Sequence, residues 1–183
     1  MTLLSFFPPS RPGNAGSMWL SRSPHLVSDI RDDEADAGKS TATTVEQTVV
    51  HFTRYVVRKL VRLDAASSDQ QFDNLYRTVS VVFTEYKPQL DRFVDALNVT
   101  DMETTVRSFS SVLERLADDG QQINGGRVVA VLAFAGRLAQ HCIEKEIVSS
   151  DDVDQLADMM GRKIASWFID GRHNLVRHTA IPS

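Results

Sequence analysis

Apolar side chains recur every three or four residues along most of this chain, and from Thr44 onward the spacing predicts helix after helix. Val45, Val49, Phe52, Val56, Leu60 and Leu63 form one stripe. Arg and Lys crowd its later turns, where a helix C-terminus favours positive charge. Phe72, Leu75, Val79, Phe83 and Tyr86 form a second stripe, which ends by Lys87 because the residue before Pro88 is biased away from helical geometry. Leu90, Phe93, Val94 and Leu97 give a short third helix opening near Pro88, a first-turn position that tolerates proline. Thr100 and Glu103 stand at capping-box spacing before a fourth stripe of Met102, Val106, Phe109, Val112, Leu113 and Leu116.

The fifth segment differs. After Asn124, Gly125, Gly126 and Arg127, an uninterrupted apolar run extends from Val128 to Ala135. Asn124 suits a helix N-cap, and the helix behind it, running to about Glu146, is too apolar on every side to lie at a surface. Arg127 falls in its first turn, beside unpaired N–H groups and a partial positive charge, a setting that suits a visiting carboxylate. Ser149 or Ser150 caps a sixth helix striped with Val153, Leu156, Met160, Ile164 and Trp167. Gly171 is expected to close it before a last turn around Leu175 and Val176. No alternating strand pattern and no internal repeat interrupts this order. The expectation is an all-α bundle of about seven helices around one central apolar helix, occupying residues 45–183.

Composition changes the picture mainly at the N-terminus. Residues 1–44 hold most of the prolines and the acidic stretch Asp32-Asp33-Glu34-Ala35-Asp36, and read as a disordered leader with apolar patches at Phe6-Phe7 and Trp19-Leu20. Hydrophobic content of 42% and a net charge of −4 fit a globular chain with little bulk attraction for nucleic acid or anionic membrane. No apolar run reaches the roughly 18 residues of a membrane span, and neither a secretory signal nor a C-terminal anchor is recognisable. Cys142 is the only cysteine, so no internal disulfide is expected and a reducing compartment fits.

Most site chemistry is excluded by spacing. His25, His51, His141, His173 and His178 include no pair at metal-ligand spacing, and neighbours such as His141 and Cys142 point about 100° apart on a helix. No nucleophile elbow exists, and Asn124-Gly125-Gly126-Arg127 lacks the Lys-Ser/Thr and the preceding strand of a phosphate loop. Asp118-Asp119 and Asp151-Asp152 read as charges at helix ends. Arg54, Arg58, Lys59 and Arg62 form a basic strip on the first helix that reads as a solvated face. The expectation is a non-enzyme without cofactor or metal.

Asp119-Gly120, Asn124, Gly126, Arg127 and Phe134-Ala135-Gly136 resemble the first homology motif of the Bcl-2 family of apoptosis regulators, and the helix order resembles its fold over about residues 45–175. Gly125 stands where the family usually has Trp, and the spacer Gln121-Gln122-Ile123 is longer than in most members. The resemblance implies a hydrophobic groove between helices two to five that receives the Bcl-2-homology-3 (BH3) helix of Bim-, Bak- or Bax-like pro-death proteins. It further implies that Arg127 pairs with the guest's Asp, that Asn124 hydrogen-bonds nearby, and that Gly126 lets the guest backbone approach. Phe83, Tyr86, Phe93, Val94, Leu97, Phe109, Val112, Leu113, Leu116 and Val128 are the candidate walls, each with core packing as the alternative.

In death-inducing members the second helix resembles Leu-x-x-x-Gly-Asp, whereas here Leu75 is followed by Val79 and Ser80 at the Gly and Asp places. The resemblance therefore implies a pro-survival groove owner. The eroded motif is similar to that of divergent virus-encoded or invertebrate members, the virus-encoded ones foremost, and the missing Trp would either narrow the range of guests or free the surface for contact between two copies. A member without an anchor is expected in the cytoplasm, reaching the mitochondrial surface through its partners. A pore-forming killer and a helical scaffold that signals through another face remain open alternatives.

Overall fold

The computed structural model describes residues 37–63, 70–118 and 123–178, and every regular element among them is helical. In chain order these are α1 (Ala37–Leu60), α2 (Gln70–Glu85), α3 (Lys87–Asp95), α4 (Met102–Asp118), α5 (Gly125–Glu144) and α6 (Val153–His178), with a 3-10 turn at Ser150–Asp152 before α6. The leader patches at Phe6-Phe7 and Trp19-Leu20 lie outside the described residues, as do Asp119-Gly120 and Gln121-Gln122.

Three boundaries differ from the sequence expectation, each for a local reason. α1 opens at Ala37, ahead of Thr44, because residues 37–43 are helical without carrying an apolar stripe. α4 is capped by Asp101 rather than Thr100: Asp101 Oδ1 accepts from Thr104 N at 2.8 Å, and Thr104 Oγ1 accepts from Asp101 N at 3.0 Å. That reciprocal pair is a capping box with Thr in the place of Glu. α6 runs through Gly171 to His178, so the expected stop and the separate turn at Leu175 and Val176 are one continuous helix. A mid-helix glycine costs about 1 kcal/mol, too little to end a helix whose earlier turns are firmly packed.

α5 is the axis. All five other helices pack on it, and residues 131–139 are buried without a break. Phe109, Leu116, Leu132, Leu138, Leu156 and Met160 are among the largest side chains sealed around it. Burial of each such side chain is worth roughly 1.5–3 kcal/mol. Gly136 lies where α5 meets α1, and a Cβ there would run into Leu60.

α1 and α6 form the most extensive pairing in the bundle. Gly161 permits it: a Cβ at that position would stand 2.8 Å from Val50 Cα. Thr53, buried at the same crossing, satisfies its hydroxyl by donating to the Val49 carbonyl at 2.8 Å. Two ion pairs flank the seam. Arg54 grips Asp158 with both ends of its fork, and Arg58 Nη1 meets Asp154 Oδ1 at 2.9 Å. Lys59 lies over the Tyr55 ring, 5.6 Å from its centroid. Most of the basic strip of α1 is therefore engaged within the fold.

Candidate functional site

The site begins where α5 starts. Asn124 is extended, and its Oδ1 accepts from Arg127 N at 3.0 Å, so the cap fixes the first turn of α5. Gly126 serves the same turn, since a Cβ there would come to 3.3 Å from Asn124 Oδ1. The Arg127 side chain turns inward. Its Nη1 donates to the Leu116 carbonyl at 3.2 Å, and the residue is only 5% exposed. The expectation of a guanidinium standing open at a rim is thus corrected. The cause is proximity: the last turn of α4 presents carbonyls that have no partner within their own helix, and a guanidinium complements their partial negative charge.

The ten candidate wall residues divide evenly. Phe83, Tyr86, Phe93, Leu97 and Val128 remain partly open. Val94, Phe109, Val112, Leu113 and Leu116 are buried, and in the free protein they are core side chains rather than open wall. α4 packs mainly on α6, touches α5 only sparsely, and has no extensive contact with α2 or α3. Between α3 and α4 lies Phe134 of α5. Its ring is 5.2 Å from Phe93 on one side and stacks on Phe109 at 5.6 Å on the other. Phe134 belongs to the sequence motif that follows Arg127 yet lies outside the ten candidate walls.

α3 is anchored by buried Leu90 and Val94 and by charge. Arg137 of α5 donates through Nε to Asp91 of α3, and through Nη1 to Glu144 Oε2 at 3.1 Å. Burial works against the Arg137 charge but is outweighed by Asp91 and Glu144, which hold its pKa above the ordinary value. Burial likewise opposes ionisation of Asp91, yet hydrogen bonds from Lys87 and Arg137 keep its carboxyl below the usual range. His141 Nδ1 lies 3.5 Å from Asp95 Oδ1, and burial together with the Arg137 charge pulls the imidazole below its ordinary pKa. From the sequence, Arg137 and His141 read only as breaks in an apolar run. Their i, i+4 spacing on α5, matched by Asp91 and Asp95 on α3, was the signal that could have found them.

α2 is tied to α1 by rings and one polar contact. Phe72 meets Phe52 edge-on at 5.0 Å, and Tyr76 meets Tyr55 at 6.1 Å. Tyr55 donates its hydroxyl to Asp73. Burial and that acidic neighbour push the phenol pKa up to about 12. Val79 is fully buried, and Ser80 Oγ donates to the Arg77 carbonyl at 3.2 Å. Cys142 is sealed in the core 3.5 Å from Thr105 Oγ1, with burial raising its thiol pKa. No group of three or more metal-ligating side chains occurs among the described residues.

The arrangement defines an all-helical bundle built on a buried central helix, with Phe93 of α3 partly open beside the buried rings of Phe134 and Phe109. Residues 75–171, just over half of the chain, match the family described as apoptosis regulator proteins, Bcl-2 family. The chain belongs to the Bcl-2 family, whose members regulate apoptosis rather than catalyse reactions. No curated relative matches it. The matched span runs from Leu75 in α2 to Gly171 in α6 and so includes the whole of α3, α4 and α5. No described helix is long and apolar enough to cross a membrane.

Proposed function

We propose that this chain restrains apoptosis by sequestering pro-death relatives, holding their BH3 helix in the cleft between α2–α3 and α4 above α5. The observation that carries this reading is the ring cluster of Phe93, Phe134 and Phe109, in which Phe93 is partly open while Phe134 and Phe109 are buried in the free protein. A guest helix that lays an apolar row over Phe93 and its partly open neighbours buries its anchors where binding energy concentrates. The protective role rests on α2: it keeps Val79 inside its own fold and has Ser80 where a guest helix would carry its acid. Such a helix makes a poor guest for another groove. The partners are Bim-, Bak- or Bax-like proteins, met in the cytoplasm or at the mitochondrial surface. The eroded motif fits a virus-encoded or otherwise divergent member.

Burial of Arg127 favours a second reading, a Bcl-2 fold that acts through another surface. If the groove is used, a guest's acid must draw the guanidinium away from Leu116, or the guest is read by its apolar row alone. Calorimetric titration of pro-death helical peptides into the whole chain separates these. Submicromolar binding, weakened more than about tenfold by Phe93→Ala, is expected from the groove. An Asp→Ala change in the peptide then tests Arg127 without touching the protein's fold. Complete absence of binding sinks the groove and leaves the second reading. Permeabilisation of liposomes by the purified protein would instead identify a killer.

A further inference from the structure

α3 carries an acid on each of its turns, Asp91 and Asp95, and α5 places a base beneath each, Arg137 and His141. Arg137 is the one polar side chain in the buried run 131–139, and that side chain is 7% exposed. A charge at this depth is costly unless it is paired, so removing its partner is far worse than replacing both. α3 therefore cannot lift from α5 without leaving Arg137 to Glu144 alone. Phe93 lies between the two acids in sequence and rests on Phe134. The ion pair and the ring contact thus fix the same short helix at the same place. Lys87 adds a second hydrogen bond to Asp91 at 2.8 Å, holding the carboxylate in position for the arginine fork.

Resting on the reading that α3 is one wall of a guest groove, we propose that Arg137 is a positioning residue. Through Asp91 it holds the α3 wall on the core helix, with Phe93 seated on Phe134, so the groove is set before a guest arrives and guest release is slow. A preformed wall spares the ordering cost that a loose one would meet at binding.

Amide hydrogen exchange on the whole free protein, paired with peptide dissociation rates, tests this. Asp91→Asn should accelerate exchange in α3 about tenfold or more while α1 and α6 amides stay unchanged. A bound pro-death helical peptide should leave it about tenfold faster than it leaves the wild type. Asp91→Glu should stay close to wild type in both. Arg137→Lys, which keeps the charge and loses the fork, should shift both in the direction of Asp91→Asn by a smaller factor. Unchanged α3 exchange, or acceleration shared equally by every helix, overturns the proposal. If α3 exchange responds as expected but no helical peptide binds even the wild type, the groove reading falls and takes the role in guest release with it.

Discussion

Between α1 and α6 the backbones come so close that Gly161 has no room for a methyl group, and Thr53 is sealed into the crossing. Between α3 and α4 there is no such seam: Phe93 is left partly open, and an arginine from the helix below holds α3 by charge. Both regions rest on α5. The first is closed by shape, which tolerates no change of volume, and its ion pairs are flanking additions. The second is closed by an ion pair and a ring contact, which fix position while leaving apolar surface available. On the proposed groove reading, a bundle that receives a guest needs this inequality, because one face can stay partly open only if the rest of the fold supplies the stability.

The largest effect is expected at the tight seam. Gly161→Val should cost roughly 3 kcal/mol in urea unfolding, because the nearest obstacle is the backbone of Val50, which cannot swing aside. Gly136→Ala offers the contrast. The closest atom it meets is the terminal Cδ1 of Leu60, which can swing aside, Leu60 Cβ at 3.2 Å asks only a few tenths of an ångström of the helix, and the gain in helix propensity returns up to about 1 kcal/mol. Equal losses from the two substitutions would break the claim that shape closes α1–α6 more rigidly than its surroundings.

A smaller effect sharpens the other side. Arg127→Met should lower stability by about 1–2 kcal/mol, since the Leu116 carbonyl loses a charged donor inside the fold. Affinity for a helical guest should change little if Arg127 is chiefly a clamp between α4 and α5. Unaltered stability together with lost binding would return Arg127 to the rim as the reader of the guest's acid.

How much of this was legible beforehand follows the same division. The stripe Val153, Leu156, Met160, Ile164 and Trp167 is buried at every position, because period and core face coincide on a helix packed against α1, α4 and α5. The uniform apolarity of α5 announced the axis for the same reason. The Arg127 side chain was not legible. Its neighbours in sequence are a cap and an apolar run, and its partner is a backbone carbonyl, which has no sequence signature. The split of the wall residues was equally hidden, because Val112 and Leu113 lie on faces of α4 whose burial depends on where α5 and α6 sit. The left-handed residues that close α1 and α5 escaped too, although the end of α5 at Glu144 falls close to the expected Glu146. Arg62 and Glu146 adopt left-handed backbone with φ near 63° and 57°, where a glycine would have been the usual sign.

The smallest predicted effect lies on the border between the two regions, and pH reads it. Tyr55 belongs to the firm helix α1, yet its hydroxyl donates to Asp73 of α2. Its phenol is held neutral up to about pH 12 in the fold, whereas in the unfolded chain it ionises near 10. The folded state thus binds this proton more tightly, so the contribution is complete below pH 10 and is lost as pH rises toward 12. The loss should reach roughly 1 kcal/mol by pH 11. In Tyr55→Phe that step is absent: the variant starts lower, by the missing hydrogen bond, and stays flatter across the window. Hydrogen exchange at pH 11 should show α2 amides losing protection before those of α6. The reason is that the ionised phenol repels Asp73, while the pair between Arg54 and Asp158 across the α1–α6 seam is untouched. Parallel loss in both helices would mean that α2 is bound to α1 as tightly as α6 is, and that the frame includes one wall of the cleft.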